Sequence, residues 1–564
     1  MRARCARIID GMRIFPATPE FTGLNTPIGD EYELERLTVE GRIPAEIQGT
    51  FFRAIPDPAF QPYMEDGGAV ISGDGMVSAL RFARGEVSFA IRYVETDRHK
   101  AELAAGRALF GKYRNPYTDK PEARGIDRTV ANTTPVWHAG RLLMTKEDGR
   151  PYRVDPHTLA TLGRYDFGGR LKSATVTAHV RIDPATHELF FFGYEAGGLA
   201  STKVAYCLAD RHGNLTREQW FDAPYCAMMH DFAITEHYVL FPIYPTTCDL
   251  ARLEAGGDHW VHELGRDSFV GVMPRYGAVS EMRWFRGPKG VSCYHMMNAF
   301  EDSAGRIHLD QCLSNVNAFP FIQRASGLNI PPGENGARLA RWTIELRGGS
   351  DAVTETVIGP PGDLPMIPAA SQGRPYSHGW MLSMNPQMQG PPVPGGPVGA
   401  MFNTLLRLDF TGKPPQGLAL PAGHAISEPV HVPCAEGAHE GWLLTIVDEQ
   451  TGPSDFVHAL WILQAGDVAA GPIARVHIPH RLRPQVHGWW VSAAELDAAA
   501  AKRGGTRSPG VDRQFSTAAR LRVARNTPYR GTPSSAVGGH PDECRHGTRY
   551  AGNARPWSGP SHRA

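Results

Sequence analysis

Short apolar runs recur along the chain, some alternating with polar residues and others continuous, and turn residues separate them. Strict alternation is typical of a strand with one buried face, and a short continuous run is typical of a strand buried on both faces. The clearest runs begin at Gly85, Gly140, Glu188, Tyr238 and Gly441. Asp-Pro-His-Thr at Asp155 and Asp-Pro-Ala-Thr at Asp183 indicate turns between strands. The pattern therefore predicts a large all-β fold.

Two segments depart from this strand pattern. Residues 97–110, DRHKAELAAGRALF, have an Ala, Leu and Glu content that predicts a helix. Residues 385–399 are rich in Pro, Gly, Met and Gln and predict a surface loop. The many short strands make a β-propeller one candidate architecture. No clear sequence repeat supports it, so the pattern alone leaves the arrangement of the strands open.

The composition agrees with a globular protein that has many tight turns. Of the 564 residues, 42% are hydrophobic and 21% charged, with 61 Gly and 46 Pro. The net charge is zero, but residues 496–564 hold 12 Lys and Arg against 4 Asp and Glu, so the remainder is mildly acidic. An acidic body gives no electrostatic reason to expect nucleic acid as a partner. The basic end is rich in Arg, Gly, Ser and Pro and is predicted to be disordered, without a catalytic role.

The cysteines and the lengths of the apolar runs indicate in which cellular compartment the protein is expected. The eight Cys form no Cys-x-x-Cys pair and are predicted to be reduced thiols. The first residues are positively charged but no sustained apolar segment follows them, unlike a signal peptide. No run of about 18 apolar residues occurs, so no transmembrane helix is expected. The sequence therefore predicts a cytoplasmic protein.

Four of the 23 histidines lie in distinctive short phrases, at His179, His230, His295 and His487. Neutral imidazole is a good ligand for iron, copper, nickel and zinc. These positions are spread over most of the chain, so only a fold that brings distant segments to one axis could gather them. The alternative is that each is a hydrogen-bonded core histidine, and spacing alone leaves both interpretations open.

The phrases around these histidines resemble the four ligand segments of the carotenoid cleavage oxygenase family. They read TAHVRIDPATHELFFFGY from Thr177, MMHDFAITEHYVLFPIYP from Met228, YHMMNAFEDSAGRIHLD from Tyr294 and PHRLRPQVHGWW from Pro479. They occur in the family's order, and Glu-Ile-Gln-Gly-Thr-Phe-Phe-Arg near the start and Gly-Asp-Gly-Met at Gly73 add to the match. The resemblance extends from about Leu37 to Trp490.

This resemblance implies a seven-bladed β-propeller, capped by loops and short helices, with non-haem Fe(II) on its axis. The implied iron ligands are His179, His230, His295 and His487. The implied organisation is an N-terminal extension at residues 1–36, a propeller oxygenase domain at 37–495 and the basic tail at 496–564.

Family members orient three of the ligands with carboxylates, and the matching positions are Glu147, Asp363 and Glu428. A carboxylate that accepts the hydrogen bond of the far ring nitrogen fixes the tautomer and raises the basicity of the ligand. Asp363 stands where the family usually has Glu, and its side chain is one methylene shorter. It is therefore expected to make a longer contact or one bridged by water. Without the surrounding phrases, all three would be read as surface acids.

Residues 109–119, LFGKYRNPYTD, and 146–149, KEDG, resemble the branch of the family that acts on 4-hydroxyphenyl alkenes. Members of that branch hold the substrate's 4-hydroxyl with a Tyr and a Lys, and the matches are Tyr113 and Lys146. A phenol has a pKa of about 10, and a nearby ammonium favours the phenolate. The phenolate pushes electron density through the ring to the alkene. If they do not bind substrate, Tyr113 is expected to be a packed aromatic residue at the end of a strand and Lys146 a solvated residue on a strand.

Ile71 lies two residues before the Gly-Asp-Gly-Met segment. Isoeugenol-type members have Ile there, whereas lignostilbene-type members often have Phe. The resemblance therefore implies Fe(II)- and O2-dependent cleavage of the alkenyl double bond of a 4-hydroxyphenyl alkene, such as isoeugenol or 4-vinylguaiacol. The product would be a vanillin-type aldehyde.

Alternatives stay open at this point. The same iron site could cleave a stilbene, such as lignostilbene or resveratrol, or an apocarotenoid. An alternative of another class is a catalytically silent propeller that binds a ligand or partner, although a pure scaffold needs no convergent imidazoles. The exact alkene, the incorporation of one or two oxygen atoms and the formation of a homo-oligomer cannot be read from the sequence.

Overall fold

The computed structural model describes residues 15–64, 67–325, 336–388, 390–434 and 440–504. Its main strands form seven antiparallel sheets, arranged as the blades of a β-propeller. The predicted all-β, seven-bladed fold is confirmed. The helices in the described ranges are too short or too polar to cross a membrane.

Five blades follow one another along the chain, each a meander of four strands. In blade 4 a separate two-stranded sheet, Thr246–Thr247 and Val261–His262, lies between the second and third strands. Blade 2 consists of Thr134–His138, Arg141–Thr145, Tyr152–Val154 and Thr161–Arg164. Blade 3 consists of Arg181–Ile182, Leu189–Gly193, Lys203–Ala209 and Leu215–Asp222. Blade 4 consists of Ala233–Ile234, Tyr238–Ile243, Asp267–Pro274 and Arg283–Lys289. Blade 5 consists of Ser292–Glu301, Ile307–Ser314, Arg338–Ile344 and Thr354–Gly359. Blade 6 consists of Asp363–Met366, His378–Ser383, Thr404–Asp409 and Gln416–Ala419.

Blades 1 and 7 join the two ends of the chain. Blade 1 consists of Tyr32–Leu34, Gly49–Pro56, Gly75–Ala83, Glu86–Tyr93 and Gly488–Ser492. Blade 7 consists of Thr38–Gly41, His424–Ile426, Val430–Val432, Trp442–Gln450, Phe456–Gln464 and Pro472–Ile478. The C-terminal strand of blade 1 pairs with Gly49–Pro56, from Gly49↔Ser492 to Arg53↔Gly488. Thr38–Gly41 pairs with Pro472–Ile478, so two ladders close the ring.

Apolar side chains fill the space between neighbouring blades. Phe51 and Leu80 of blade 1 share one buried cluster with Leu444 and Leu460 of blade 7. Strand Gly49–Pro56 is buried at every position, because it is covered on both faces. This explains why many strands appear in the sequence as continuous apolar runs instead of alternating ones.

The described helices are short and lie outside the blades. The α-helices are Ala69–Ser72, Asp97–Ala105, Leu250–Glu254 and Ala493–Gly504. The 3-10 turns are Gly23–Asn25, Pro116–Thr118, Pro121–Ala123, Val279–Glu281, Ala369–Ser371 and Val468–Ala470. The helix predicted over 97–110 begins as expected, where Thr96 Oγ1 accepts from the His99 amide, but it ends at Ala105. Gly106 stops it in the left-handed conformation, with φ 66°.

The five apolar runs and the two Asp-Pro turns lie where the sequence predicts them. The runs become Glu86–Tyr93, Arg141–Thr145, Leu189–Gly193, Tyr238–Ile243 and Trp442–Gln450. In the turns, the carboxylates of Asp155 and Asp183 accept hydrogen bonds from amides two and three residues ahead.

The predicted domain boundaries do not coincide with the ends of these elements. Tyr32–Leu34 already belongs to blade 1, so the propeller begins before residue 37. Residues 496–504 are helical and not part of a disordered tail, because Leu496 and Ala499 are buried in the apolar cluster that contains Trp137 and Leu142. Residues 505–564 lie outside the described ranges, and the division into domains stays a prediction.

Candidate metal centre and substrate cavity

Every blade contributes one polar side chain near the axis. The four histidines lie in or just before a strand at one edge of a blade: His179 in blade 3, His230 in blade 4, His295 in blade 5 and His487 in blade 1. The three predicted acids come from the remaining blades: Glu147 from blade 2, Asp363 from blade 6 and Glu428 from blade 7. The propeller is thus the fold that gathers these dispersed residues.

The four imidazoles form one compact cluster. One ligand nitrogen from each lies within 4.8 Å of all the others. The Nε2 atoms of His179 and His230 are 3.1 Å apart. The ring centroids of His179 and His487 are 4.4 Å apart, with planes inclined at 79°. The rings therefore meet edge to face, with nitrogens pointing at a common centre.

This cluster fits a metal ion. The Nε2 atoms of His295 and His487 are buried and have no hydrogen-bond partner among the described residues. Two nitrogens that bind one ion at about 2.1 Å and at right angles lie about 3.0 Å apart, close to the separation of His179 and His230. Four neutral imidazoles without thiolate suit divalent iron, nickel, copper or zinc.

Three of the histidines are held by carboxylates at their other ring nitrogen. Nδ1 of His230 donates to Glu147 Oε1 through a short contact. Nδ1 of His487 donates to Glu428 Oε1 at 2.8 Å. In each case the far nitrogen is fixed as a donor, which leaves Nε2 with its lone pair towards the centre.

Asp363 contacts His295 directly, with 2.8 Å between His295 Nδ1 and Asp363 Oδ1. The expectation of a longer or water-bridged contact is therefore wrong. The backbone accounts for the difference: the ladder to the next strand shifts register between Asp363 and Met366, and Leu364 adopts φ 54°. Asp363 Oδ1 also accepts from the Leu364 amide at 2.8 Å. This irregular backbone brings the shorter acid within reach of the ring.

Burial sets the charge of the cluster. It lowers the pKa of His179 well below its ordinary value and also lowers the pKa of His230, so that both are neutral, the form that binds metals. Burial would raise the pKa of Glu147, but the hydrogen bond from His230 and the charges of Lys146 and Arg114 outweigh it and lower that pKa to about 2. At His295, Asp363 outweighs burial and raises the pKa.

Nine of the ten predicted site residues line one cavity. The exception, His179, lines a second cavity together with His295 and His487, so the cluster lies between two cavities. The first cavity contains Tyr113, Lys146 and Ile71 as well as His230, His295 and His487. The predicted phenol-binding pair and the predicted metal ligands therefore face the same space.

Tyr113 and Lys146 lie side by side in this cavity. Lys146 Nζ is 5.5 Å from the centre of the Tyr113 ring and donates to the Ile71 carbonyl oxygen at 3.1 Å. Burial raises the pKa of Tyr113 well above its ordinary value, so Tyr113 stays a protonated donor. Burial lowers the pKa of Lys146, so Lys146 loses its proton more readily than a solvated lysine.

The backbone beside Tyr113 is held from behind by a buried ionic network. Arg114 has φ 56°, a conformation that non-glycine residues rarely adopt. Its guanidinium donates to Glu195 at 2.5 Å and to Tyr194 Oη at 2.7 Å. Nδ1 of His259 donates to the Arg114 carbonyl oxygen at 3.0 Å. This network fixes the backbone from which Tyr113 projects.

The sequence pattern missed several cavity residues. Gly396, Pro397 and Val398 belong to the segment predicted as a surface loop, yet they line the cavity. Val393 of the same segment is only 3% exposed. Its Pro and Gly content predicts an irregular backbone correctly but carries no signal of burial. Phe319 also lines the cavity, and no motif pointed to it.

Comparisons with known proteins identify relatives of this chain in sequence and in fold. A family model described as retinal pigment epithelial membrane protein matches residues 25–492. Lignostilbene-α,β-dioxygenase isozyme III of Sphingomonas paucimobilis is 40% identical over 499 residues, 87% of this chain and 100% of that protein. Isoeugenol monooxygenase of Pseudomonas putida is 39% identical over 491 residues, 84% of this chain and 98% of that protein. The crystal structure of Pseudomonas brassicacearum lignostilbene dioxygenase superposes with a TM-score of 0.80 at 38% identity and covers 85% of this chain and 100% of that one.

Proposed function

The chain belongs to the retinal pigment epithelial membrane protein family, the carotenoid cleavage oxygenases, and from this premise we propose that it cleaves the alkenyl double bond of a 4-hydroxyphenyl alkene with O2. Isoeugenol and 4-vinylguaiacol represent the substrate class, and a vanillin-type aldehyde is the product. The observation that carries this proposal is the shared cavity, in which Tyr113 and Lys146 face the same space as His230, His295 and His487.

The cavity residues act on the phenol end of the substrate. The 4-oxygen would lie between Tyr113 Oη and Lys146 Nζ. As an ammonium, Lys146 would stabilise the phenolate through its charge and a hydrogen bond, and the phenolate in turn offsets the burial that lowers the pKa of Lys146. Since burial raises its pKa, Tyr113 keeps its proton and donates a second hydrogen bond to the same oxygen. The phenolate makes the alkene electron-rich.

The histidine cluster would hold Fe(II) in the same cavity, away from the phenol-binding pair Tyr113 and Lys146. The ligands would be His179, His230, His295 and His487, with Glu147, Asp363 and Glu428 fixing three of the rings. Bound iron would supply the activation of O2 that a phenolic alkene alone cannot achieve. The apolar side chains of Met228, Phe319, Met401 and Phe402 keep bulk water from the alkene.

A stilbene is the second candidate substrate, and Phe319 is the observation that favours it. Its ring lines the cavity and stacks on Phe321, with centroids 5.4 Å apart and planes 15° from parallel. Such a surface could accept the second aryl ring of a stilbene. Ile71, also in the cavity wall, offers no aromatic partner and fits the smaller alkene.

The test is a substrate panel with the purified protein, Fe(II) and air, read by product mass. Isoeugenol, 4-vinylguaiacol, lignostilbene, resveratrol and a β-apocarotenal cover the alternatives. Preferred turnover of the first two supports the proposal, and preferred turnover of a stilbene supports the second candidate. Cleavage of the apocarotenal alone would overturn the phenol-binding role of Tyr113 and Lys146. Stoichiometric iron without any cleavage would favour a binding protein.

A further inference from the structure

A second cluster of reactive side chains lies outside the substrate cavity. Ligand atoms of Glu195, Cys248 and His259 lie within 4.8 Å of one another, and Cys226 lies opposite Cys248, whose amide donates to the Cys226 carbonyl oxygen. Glu195 and His259 are buried, whereas Cys248 is partly exposed. The proposed oxygenase reaction uses neither thiol.

Glu195 already has cationic partners, which argues against a metal ion here. Arg114 Nη2 is 2.5 Å and His259 Nε2 is 3.0 Å from Glu195 Oε2. A divalent cation at Glu195 Oε2 would displace the buried guanidinium of Arg114 and leave it without its counter-charge, which is strongly unfavourable. The cluster therefore points to chemistry at sulfur.

The backbone holds the two cysteines at the spacing of a disulfide. The Met228 amide donates to the Thr246 carbonyl at 2.9 Å, and the Cys248 amide donates to the Cys226 carbonyl at 3.4 Å. Ala227 and Thr247 form an antiparallel bridge between them. Cys226 and Cys248 are thus directly opposite each other, and hydrogen-bonded antiparallel pairs have Cα atoms about 5.5 Å apart. Disulfides span about 4.4–6.8 Å between Cα atoms, so this pairing lies within their range, and the bond requires the two Cβ atoms to approach to about 3.5–4.5 Å.

The environment divides the two thiols into an attacking and a resolving partner. The neighbouring Cys226 thiol and, to a smaller extent, the His259 ring lower the pKa of Cys248 to about 6, against the effect of burial. The same thiol–thiol contact, together with burial, raises the pKa of Cys226. Burial raises the pKa of Cys207, Cys293 and Cys312, so these are poor nucleophiles at neutral pH.

We propose that Cys226 and Cys248 form a peroxide-sensitive dithiol that closes to a disulfide. The Cys248 thiolate attacks one oxygen of hydrogen peroxide, the O–O bond breaks, and the products are a sulfenic acid and hydroxide, which takes up a proton to give water. The Cys226 sulfur then attacks the Cys248 sulfur, the S–O bond breaks, and a second water leaves with the Cys226 proton. Two thiols are oxidised to one disulfide, and one peroxide is reduced to two waters.

The experiment treats the reduced, iron-loaded protein with a few equivalents of hydrogen peroxide, quenches with catalase, alkylates the remaining thiols and maps unreduced peptides by mass. The expected result is a cross-link between the peptides of Cys226 and Cys248, lighter by two hydrogen atoms and reversed by a phosphine. Diamide, a thiol oxidant that forms no radicals with iron, should give the same cross-link. Oxidation spread over other cysteines, or no cross-link with either oxidant, would overturn the proposal.

Variants separate the two roles. In Cys226→Ser, dimedone should trap a sulfenic acid on Cys248, whereas Cys248→Ser should leave Cys226 unmodified. Cys434→Ser is the matched control and should cross-link like the wild type. If a variant is poorly folded by melting temperature, limited alkylation of the wild type decides: Cys248 should react first, with a pH midpoint below that of an ordinary thiol at about 8.5. A zinc ion retained stoichiometrically and lost in Cys248→Ser would contradict the proposal and favour a metal site.

Discussion

Replacing Lys146 by Met tests how the 4-oxygen of the substrate is bound, because the change removes the amine and keeps most of the packing volume. The free phenol has a pKa of about 10, so at pH 7 about one molecule in a thousand is phenolate. If Lys146 supplies the ionisation, the loss in kcat/KM can reach about 1000-fold. A buried charged hydrogen bond is worth about 1.5–3 kcal/mol, which sets a lower value of about 10–150-fold. We therefore expect a loss of about 100–1000-fold at pH 7.

The pH dependence distinguishes ionisation from a packing defect. In Lys146→Met only solvent forms the phenolate, so kcat/KM should rise about tenfold per pH unit until about pH 10, while the wild type stays flatter. Burial raises the pKa of Tyr113, so its own ionisation does not contribute over this range. Tyr113→Phe removes a hydrogen bond to the phenolate, worth about 1.5–3 kcal/mol, and should cost about 10–150-fold without the pH dependence of Lys146→Met.

The assay measures aldehyde formation from isoeugenol in air, with iron content and melting temperature recorded for each variant. Lys203→Met is the matched control, since Lys203 is 49% exposed in its side chain and pairs with Asp222 at the surface. The 4-methoxy analogue should be inert with every variant, because it cannot form a phenolate. Comparable turnover of this analogue, or a Lys146→Met loss that does not change with pH, would refute the reasoning.

Four further predictions follow from the metal centre and the chain end. His230→Ala should lose its iron, measured by metal analysis, whereas exposed His237→Ala should keep it. Glu428→Gln should lose about 10–100-fold in iron affinity or kcat/KM, because it weakens the contact to the ligand ring. Asp363→Glu should also lose activity, by about tenfold, since the shorter acid already reaches its histidine directly; wild-type activity would contradict this. A chain ending at residue 495 should unfold about 2–4 kcal/mol more easily in urea than one ending at 504, because it lacks buried Leu496 and Ala499, and equal midpoints would show that the helix contributes nothing.

The strands and the position of the site could be predicted because they rest on local signals. Each of the five apolar runs forms a strand, and the phrases around the histidines, from His179 to His487, identify the residues that gather on the axis. The number of blades could not be derived from periodicity, because Gly49–Pro56 and similar strands are buried on both faces and show no alternation. The resemblance supplied it instead.

The failures have two physical causes: burial imposed by distant parts of the chain and, at Asp363, an irregular backbone. The Ala-rich segment after Ala493 has the composition of a helix, but the Arg- and Gly-rich sequence beyond it suggested disorder. Val393 is buried although its neighbours are Pro and Gly. Asp363 reaches His295 because Leu364 adopts a left-handed backbone conformation. The length of the Asp side chain alone does not predict this contact.

The free-energy cost of burying the histidine cluster distinguishes a metal-binding propeller from a scaffold of the same shape. The Nε2 atoms of His295 and His487 are buried on the axis without a hydrogen-bond partner among the described residues. Leaving a buried polar atom unpaired costs about 1–3 kcal/mol, and apolar side chains of similar size would avoid this cost. The fold instead fixes these rings with Asp363 and Glu428, so that their lone pairs face each other. A scaffold gains nothing from that arrangement, whereas a metal ion recovers the cost by binding the same nitrogens. The buried nitrogens therefore favour a metal-binding propeller over a scaffold without metal, independently of any similarity in sequence.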